Sequence, residues 1–392
     1  MDKFFSFTIY LISFISSLFF IQRAENSIRL NRRRSFQINM VIAVLIACLL
    51  AAFRGIDVGT DTIRYYEMYE SAFQYSSLTD YIERMSIRDL EAGYSTFMFI
   101  LSRLHFSKEL FFFTLAFLSI APVLYVLFKY REDYPIWTGM AVYYAFFYNM
   151  SFNATRQCVA VSFILLVYQM MVEKKYKLAL LFSLIALSFH STAYVGLVFA
   201  IAAVIFRNIK MSLARQTIVC LVILVVVSVP FYLDDIFTFL GNIGLASDRQ
   251  LFYQQVFSGE RQIEGSVGLG RSGYIAIILR VICLVIPAIN LLVTNKIRNP
   301  SNKASFIVIL MGTLFYTTTS IAFNTIHVYR ITMYPEIFYV LYLPTLYRSV
   351  RKRESIATIN VNTLIFIGII LLYWYLIFIR YGHHQTANYF KL

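Results

Sequence analysis

The sequence predicts an all-α, polytopic transmembrane helix bundle of about twelve spans, roughly 10 to 13, and three observations carry that prediction. First, 59% of the residues are hydrophobic and only 14% charged, with a mean hydropathy of +0.66, more apolar surface than a water-soluble core can hide. Second, the apolar residues fall into successive runs approaching the roughly 20 residues that cross a hydrocarbon core. Third, the basic residues gather in alternate loops, as cytoplasmic loops require. The 37 Phe and 29 Tyr suit a lipid-facing protein with aromatic belts at its interfaces.

Taken in order, the first run covers residues 4–21. It has a weak basic start and leads into Arg-rich sequence without an A-x-A site, so it reads as a retained span and not a signal peptide. Further spans are expected at 37–53, 109–128, 136–150, 155–172, 178–190, 191–206, 216–233, 273–294, 304–322, 328–347 and 357–380. The loops after the first, third, fifth, seventh, ninth and eleventh spans hold 20 of the 35 Lys and Arg, against Glu25, Glu132, Asp133, Glu173 and Glu354. Those loops are assigned to the cytoplasm. The opposite side carries 16 of the 21 acids, counting Glu336 inside a span, and two longer loops, 54–108 and 234–272, which places both termini outside. Counting residues 92–106 as a full crossing would invert every later loop, so they are expected to form a re-entrant or interfacial helix on the outer side. The chain is expected to be a single integral membrane domain, 1–392.

Several functions lose support at once. A net charge of +14 does not imply nucleic acid when the charges lie in short loops between apolar runs. Cys48, Cys158, Cys220 and Cys283 all fall within apolar segments without C-x-x-C spacing, which suggests neither a metal site nor a disulfide framework. Gly268-Leu269-Gly270-Arg271-Ser272-Gly273 matches G-x-G-x-x-G, but no βαβ unit surrounds it. It reads as a flexible loop entering a helix, where Arg271 and the helix N-terminus could meet a phosphate. There is no Walker A sequence, H-E-x-x-H or G-x-S-x-G.

Ionisable groups at membrane depth are costly and usually face the protein interior or a wet cavity. Arg54 ends the second span, Arg156 begins the fifth, His190 ends the sixth and Arg330 lies just inside the eleventh, all at the outer interface. Arg280 and Glu336 lie deeper, at similar depths and with opposite signs, which favours a structural ion pair. Any one of these arginines could simply snorkel to headgroup phosphates, and His190 could simply satisfy a tight turn. Four such groups at one level suggest a site. The densest polar stretch outside the spans is Arg54-Gly55-Ile56-Asp57-Val58-Gly59-Thr60-Asp61-Thr62, followed by Tyr65 and Tyr66. Its glycines permit close approach, and its carboxylates could orient hydroxyls or accept a proton; a capped turn starting an amphipathic helix at Thr60 or Asp61 would use the same residues.

These pieces together resemble the EpsG/Wzy-type polymerases of bacterial exopolysaccharide, capsule and O-antigen repeat units. The matching segments are Arg54-Gly55 through Val58-Gly59-Thr60-Asp61-Thr62 with the tyrosines after it; Glu91-Ala92-Gly93-Tyr94; Asn153-Ala154-Thr155-Arg156-Gln157 with Ala160; Phe189-His190-Ser191-Thr192-Ala193; and Tyr329-Arg330 before a Tyr-rich span. In order and spacing they cover most of the chain. An R-x-x-x-x-x-x-x-x-x-x-G pattern of some O-antigen polymerases is absent from 234–272, which favours the EpsG-like branch.

The resemblance implies glycosyl transfer at the outer face of the bacterial inner membrane, within a GT-C-like architecture. The growing glycan on undecaprenyl diphosphate would be the donor and the terminal sugar hydroxyl of an incoming lipid-linked repeat the acceptor. A diphosphate leaving group is already activated, so no cofactor, nucleotide or metal is expected, and guanidiniums can stabilise its developing charge. Arg156 and Arg330 are the first candidates for that clamp and Arg54 the third, with Gln157, Arg271 and Tyr65 as further glycan or diphosphate contacts. Asp61, Asp57 or His190 would take the acceptor proton. Expected partners are the lipid-linked glycan, membrane lipid, and a chain-length regulator and flippase. The rival readings are a lipid-linked oligosaccharide flippase or other transporter, an O-antigen ligase and an acyltransferase. No internal repeat supports transport, and the polar groups gather at one face instead of midway.

Overall fold

The computed structural model describes residues 2–208, 270–293, 300–322, 330–345 and 361–382, with Thr386, Ala387 and Tyr389. Every regular element among them is a helix. Four helices are long and apolar enough to cross a membrane: Phe4–Arg29, Arg33–Ala52, Lys108–Lys129 and Thr155–Val172. Shorter apolar helices follow at Tyr176–Phe189, Ala193–Arg207, Gly273–Ile289, Ser305–Thr318 and Phe366–Arg380.

Helix α1 (Asp2–Arg29) continues eight residues beyond the expected span. The extension is buried at Ala24, Glu25 and Ser27, and the Glu25 carboxylate accepts the Ile136 N–H at 2.8 Å. Asn31, at φ 55°, then turns the chain into α2 (Arg33–Ala52). Its N–H donates to the Ile28 carbonyl and that of Arg32 to Ser27, which satisfies the last carbonyls of α1 through a left-handed cap. Ser17 clamps the hairpin by donating to the Ala43 carbonyl, and its oxygen also lies 2.7 Å from the Tyr144 hydroxyl.

The expected outer loop is folded into three short helices, α3 (Thr62–Ser71), α4 (Leu78–Ser86) and α5 (Ala92–Arg103). Ser77 caps α4 by accepting from Thr79 N and Asp80 N. Tyr69 stacks on Phe111 at 4.3 Å and donates to the Phe106 carbonyl, tying the loop to the next helix. At 1.5 Å per residue, α5 is about 18 Å long, short of the roughly 30 Å hydrocarbon core.

The centre of the bundle is α6 (Lys108–Lys129), α7 (Ile136–Tyr143) and α8 (Thr155–Val172). A π-helical turn at Tyr144–Tyr148 and a 3-10 turn at Asn149–Phe152 continue α7. Helix α8 is buried almost all round, packed against α6, α9 (Tyr176–Phe189) and α10 (Ala193–Asn208). Beyond these lie α11 (Gly270–Arg280), running through a π turn into α12 (Ile286–Val293), and α13 (Pro300–Ala322). The last elements are α14 (Met333–Glu336), α15 (Tyr339–Tyr342) and α16 (Val361–Trp374), the latter extended by a π turn to Arg380.

Two expectations change. Residues 330–345 of the expected span 328–347 are a succession of short helical turns, because Pro335 cannot donate a backbone hydrogen bond and its ring obstructs a continuous helix. Bonds such as Val340 N to Ile337 O and Leu341 N to Phe338 O tighten the turns instead. The G-x-G-x-x-G stretch is already helical from Gly270. The expected span 216–233 lies outside the described residues, as do Cys220 and most of the 234–272 loop.

The bundle has two chemically distinct ends. At one, Lys129 and Lys175 pair with Glu173, and Arg207 donates to Tyr130 and Tyr168. The other end lies the length of α8 away, about 27 Å at 1.5 Å per residue. There the Tyr389 N–H donates to Ser6, its hydroxyl to the Leu50 carbonyl, and its own carbonyl accepts from Gly55. Residues near both ends of the chain thus meet beside the Arg54-Gly55 loop.

Candidate functional site

The polar loop after α2 is stitched to the turn before α8. Thr60 donates to the Asn153 side chain, and Thr62 to the Val58 and Phe152 carbonyls. Gly59 makes this approach possible: its φ is +99°, and a Cβ there would lie 2.9 Å from the Phe152 carbonyl oxygen. Asp61 is the N-cap residue of α3, without a side-chain capping bond.

Arg156 occupies the second position of α8, where the positive end of the helix dipole disfavours a cation. Glu91 offsets that charge. One carboxylate oxygen pairs with the Arg156 guanidinium and the other accepts the Ser191 N–H at 2.9 Å. Glu91 reaches both because α5 packs against the end of α9 at Gly93, where a Cβ would fall 2.3 Å from that of Ser188. Arg156 also lies over the Tyr94 ring at 5.7 Å and engages the Tyr65 hydroxyl.

Tyr65 joins the rest of the site. Burial holds its hydroxyl above the usual phenol range, Arg156 and Arg330 draw it down, and Asp61 pushes it up. All three charged groups therefore act on one phenol. Gln157, next on α8, donates to the Arg330 carbonyl at 3.0 Å and fixes that segment against the helix. The buried Arg330 Nε has no hydrogen-bond partner among the described residues.

His190 ends α9, its N–H bonded to the Ala186 carbonyl. Its Nδ1 accepts the Thr192 N–H at 3.3 Å and lies 2.8 Å from the Thr192 hydroxyl, which in turn meets the buried Tyr334 hydroxyl at 3.0 Å. A ring nitrogen that accepts from a backbone amide carries a lone pair there, so the proton of the neutral ring sits on Nε2.

Two of the expected residues are placed differently from the rest. Arg54 is buried between the Phe112 and Phe152 rings, at 4.1 and 4.3 Å, and donates to the Ala51 carbonyl. Tyr94 acts on its charge from the edge of the site, yet two aromatic rings lie against its guanidinium. Asp57 folds back over Gly55, its Oδ1 2.7 Å from where a Cβ of that glycine would stand. Arg271 lies in the first turn of α11, and its side chain is outside the described residues. Deep in the bundle, Arg280 and Glu336 pair at 2.7 Å, and Arg280 also donates to the Tyr373 hydroxyl.

A family model described as the EpsG family matches residues 37–390. The chain belongs to the EpsG family. This is a family of polysaccharide-polymerase type. No curated protein and no solved structure matches the chain. The EpsG match takes in every segment around Arg156, from Arg54 to Arg330.

In the sequence Glu91 stands within a matching segment and carries no assigned role. Its signal was the carboxylate two residues before a glycine, at the N-cap of a short apolar helix. Ser191, Thr192 and Tyr334 were likewise unassigned, since only the fold reveals that their polar atoms meet.

Proposed function

We propose that this EpsG-family chain polymerises undecaprenyl-diphosphate-linked oligosaccharide repeat units, by glycosyl transfer at the outer face of the bacterial inner membrane. About twelve spans in a GT-C-like arrangement would carry the site, with both termini extracytoplasmic. The observation that carries this reading is Arg156 held by Glu91 and engaging the Tyr65 hydroxyl at one end of the bundle, with Arg330 and Asp61 near enough to act on that hydroxyl, in a chain of this family.

The chemistry follows from the groups present. The acceptor sugar hydroxyl attacks the anomeric carbon of the donor glycan; the new C–O bond forms as the bond from that carbon to the diphosphate oxygen breaks. Charge develops on the leaving diphosphate, where Arg156 and Arg330 stabilise it, Arg156 offering the planar fork that matches phosphate oxygens. Arg156 already holds one carboxylate, so the diphosphate replaces the Glu91 oxygen on the guanidinium. A carboxylate released at that point is placed to receive the acceptor proton. Glu91 therefore joins Asp61 as a candidate base. His190 is less suited through Nδ1, whose lone pair already accepts from Thr192. Arg54, within its aromatic cage, braces the loop instead of contacting substrate.

The reading is tested by deleting the gene and separating the surface and lipid-linked glycans. Products of one repeat unit in place of a ladder support polymerisation. An unchanged ladder rejects it, loss of glycan from lipid A alone points to a ligase, and loss of sugar acetylation alone to an acyltransferase. Reconstituted protein that lengthens lipid-linked repeats without flipping them separates polymerase from transporter.

A further inference from the structure

At the end of the bundle opposite the site, the α1–α2 hairpin borders a shallow, open groove of about 680 Å³ lined by the exposed Arg23, Arg32, Arg33 and Arg34. Its back wall is apolar at Phe20 and Ile38 and polar at the buried Asn39, whose amide donates to Ser35. No carboxylate lines it.

Three features distinguish the groove from an ordinary basic loop of a membrane protein. Arg32, Arg33 and Arg34 stand at the N-cap and first two positions of α2, where the helix dipole opposes positive charge, and no acid occupies the first turn to compensate. The one acid of the hairpin segment 20–40, Glu25, is withdrawn: it is buried and holds the Ile136 N–H. None of the four arginines forms a salt bridge among the described residues. Orienting a loop in the membrane requires positive charge near a helix end. It does not require guanidiniums around a concavity with their only local counter-ion turned elsewhere.

We infer that the groove binds the phosphate headgroup of an anionic phospholipid, with the guanidiniums and α2 amides on the phosphate oxygens and the Phe20–Ile38 wall against the lipid's apolar part. The apolar wall, at the end of two membrane-length helices, favours a lipid over a soluble phosphate. This site is independent of the glycan chemistry and lies at the other end of the bundle.

The test uses full-length purified protein and phosphatidylcholine vesicles with or without cardiolipin. Native mass spectrometry after detergent extraction counts retained lipid, and fluorescence titration gives the affinity. The variant Arg33→Gln/Arg34→Gln should weaken cardiolipin binding tenfold or more, given the contribution of each basic side chain near an anionic lipid. A second variant adds Leu30→Lys and Gln37→Lys, both exposed and outside the groove, restoring hairpin charge so that reporter fusions show unchanged topology. Binding should remain weak in this variant, and salt should weaken it in the wild type. Recovery of affinity in the charge-restored variant would overturn the site in favour of bulk charge. Equal retention of phosphatidylcholine and cardiolipin, or competition by inorganic pyrophosphate at the lipid's own affinity, would also overturn it.

Discussion

Glu91→Gln isolates the charge of Glu91 from its shape. An amide oxygen can still accept the Ser191 N–H, so the turn after α9 keeps its anchor while Arg156 loses its counter-ion. The paired side chains are 9% and 15% exposed, closer to a buried pair than to a surface one. Removing one partner of a buried pair costs about 3–5 kcal/mol, and Coulomb attraction at about 4 Å with an effective dielectric of 20 is about 4 kcal/mol. Partial exposure and the neighbouring Tyr65 and Tyr94 soften this, so about 2–3 kcal/mol is expected. The helix dipole of α8 adds to the loss, because Arg156 then faces it alone. Thermal unfolding in detergent should show a clear fall in midpoint, and the ladder of lipid-linked products should be lost. The decisive measurement is the double-mutant cycle with Arg156→Met, whose coupling should fall at about 1.5–3 kcal/mol. Additive losses, or a normal ladder from Glu91→Gln, would refute the idea that the two side chains act as a unit.

Three other outcomes follow. Arg156→Lys should keep the protein folded and inserted but greatly reduce polymerisation, since lysine retains the charge without the fork; retained long-chain polymer would remove Arg156 from the diphosphate clamp. Gly59→Ala should destabilise the loop by about 1–3 kcal/mol, through its positive φ and the clash with the Phe152 carbonyl; faster limited proteolysis within 54–62 checks it, and an unaltered rate counts against the assigned turn. Arg280→Met should destabilise by about 3–5 kcal/mol, whereas Arg280→Met/Glu336→Leu should recover most of that loss; a double variant no more stable than the single one would mean that the pair does more than neutralise itself.

The sequence made the bundle legible because apolar run length and basic-loop asymmetry are local quantities. The boundaries of α2, α6 and α8 lie within a few residues of those expected, and α5 is a 12-residue helix within the expected outer loop. The break at Pro335 was visible as a residue, but the surrounding apolarity masked it, since hydropathy carries no information about backbone donors. The site was legible as a set of residue types and hidden as a set of contacts. Arg156 and Arg330 stand out by charge at membrane depth, and Asp61 and Tyr65 by lying in the densest polar stretch outside the spans; in the fold Arg156 engages the Tyr65 hydroxyl, on which Arg330 and Asp61 also act. Arg54 met the same criterion, yet its cage is built from Phe112 on α6 and Phe152 before α8, rings indistinguishable in sequence from other apolar residues. Glu91 belongs to a matching segment but carries no role in the sequence reading, for the opposite reason. A carboxylate in a polar loop is unremarked until its partner, 65 residues away, is placed beside it.

The two arginine–glutamate pairs show why position decides what an ion pair can do. Arg280 and Glu336 are 4% and 1% exposed, and Arg280 is surrounded by the Phe146, Phe147 and Tyr373 rings. Opening that pair would separate two charges in a largely apolar interior, so it suits a fixed brace between α11 and the turns around Pro335. The Arg156–Glu91 pair sits at the bundle end, beside polar groups from three other segments. In the proposed reaction an incoming diphosphate would replace a carboxylate oxygen with a phosphate oxygen, and the guanidinium would keep an anionic partner throughout. The exchange would therefore be far less costly than opening the pair into empty space, and a released Glu91 would stay tethered by Ser191, whose N–H it accepts. Binding the leaving group and freeing the base become the same event, which would couple deprotonation of the acceptor to the presence of the donor.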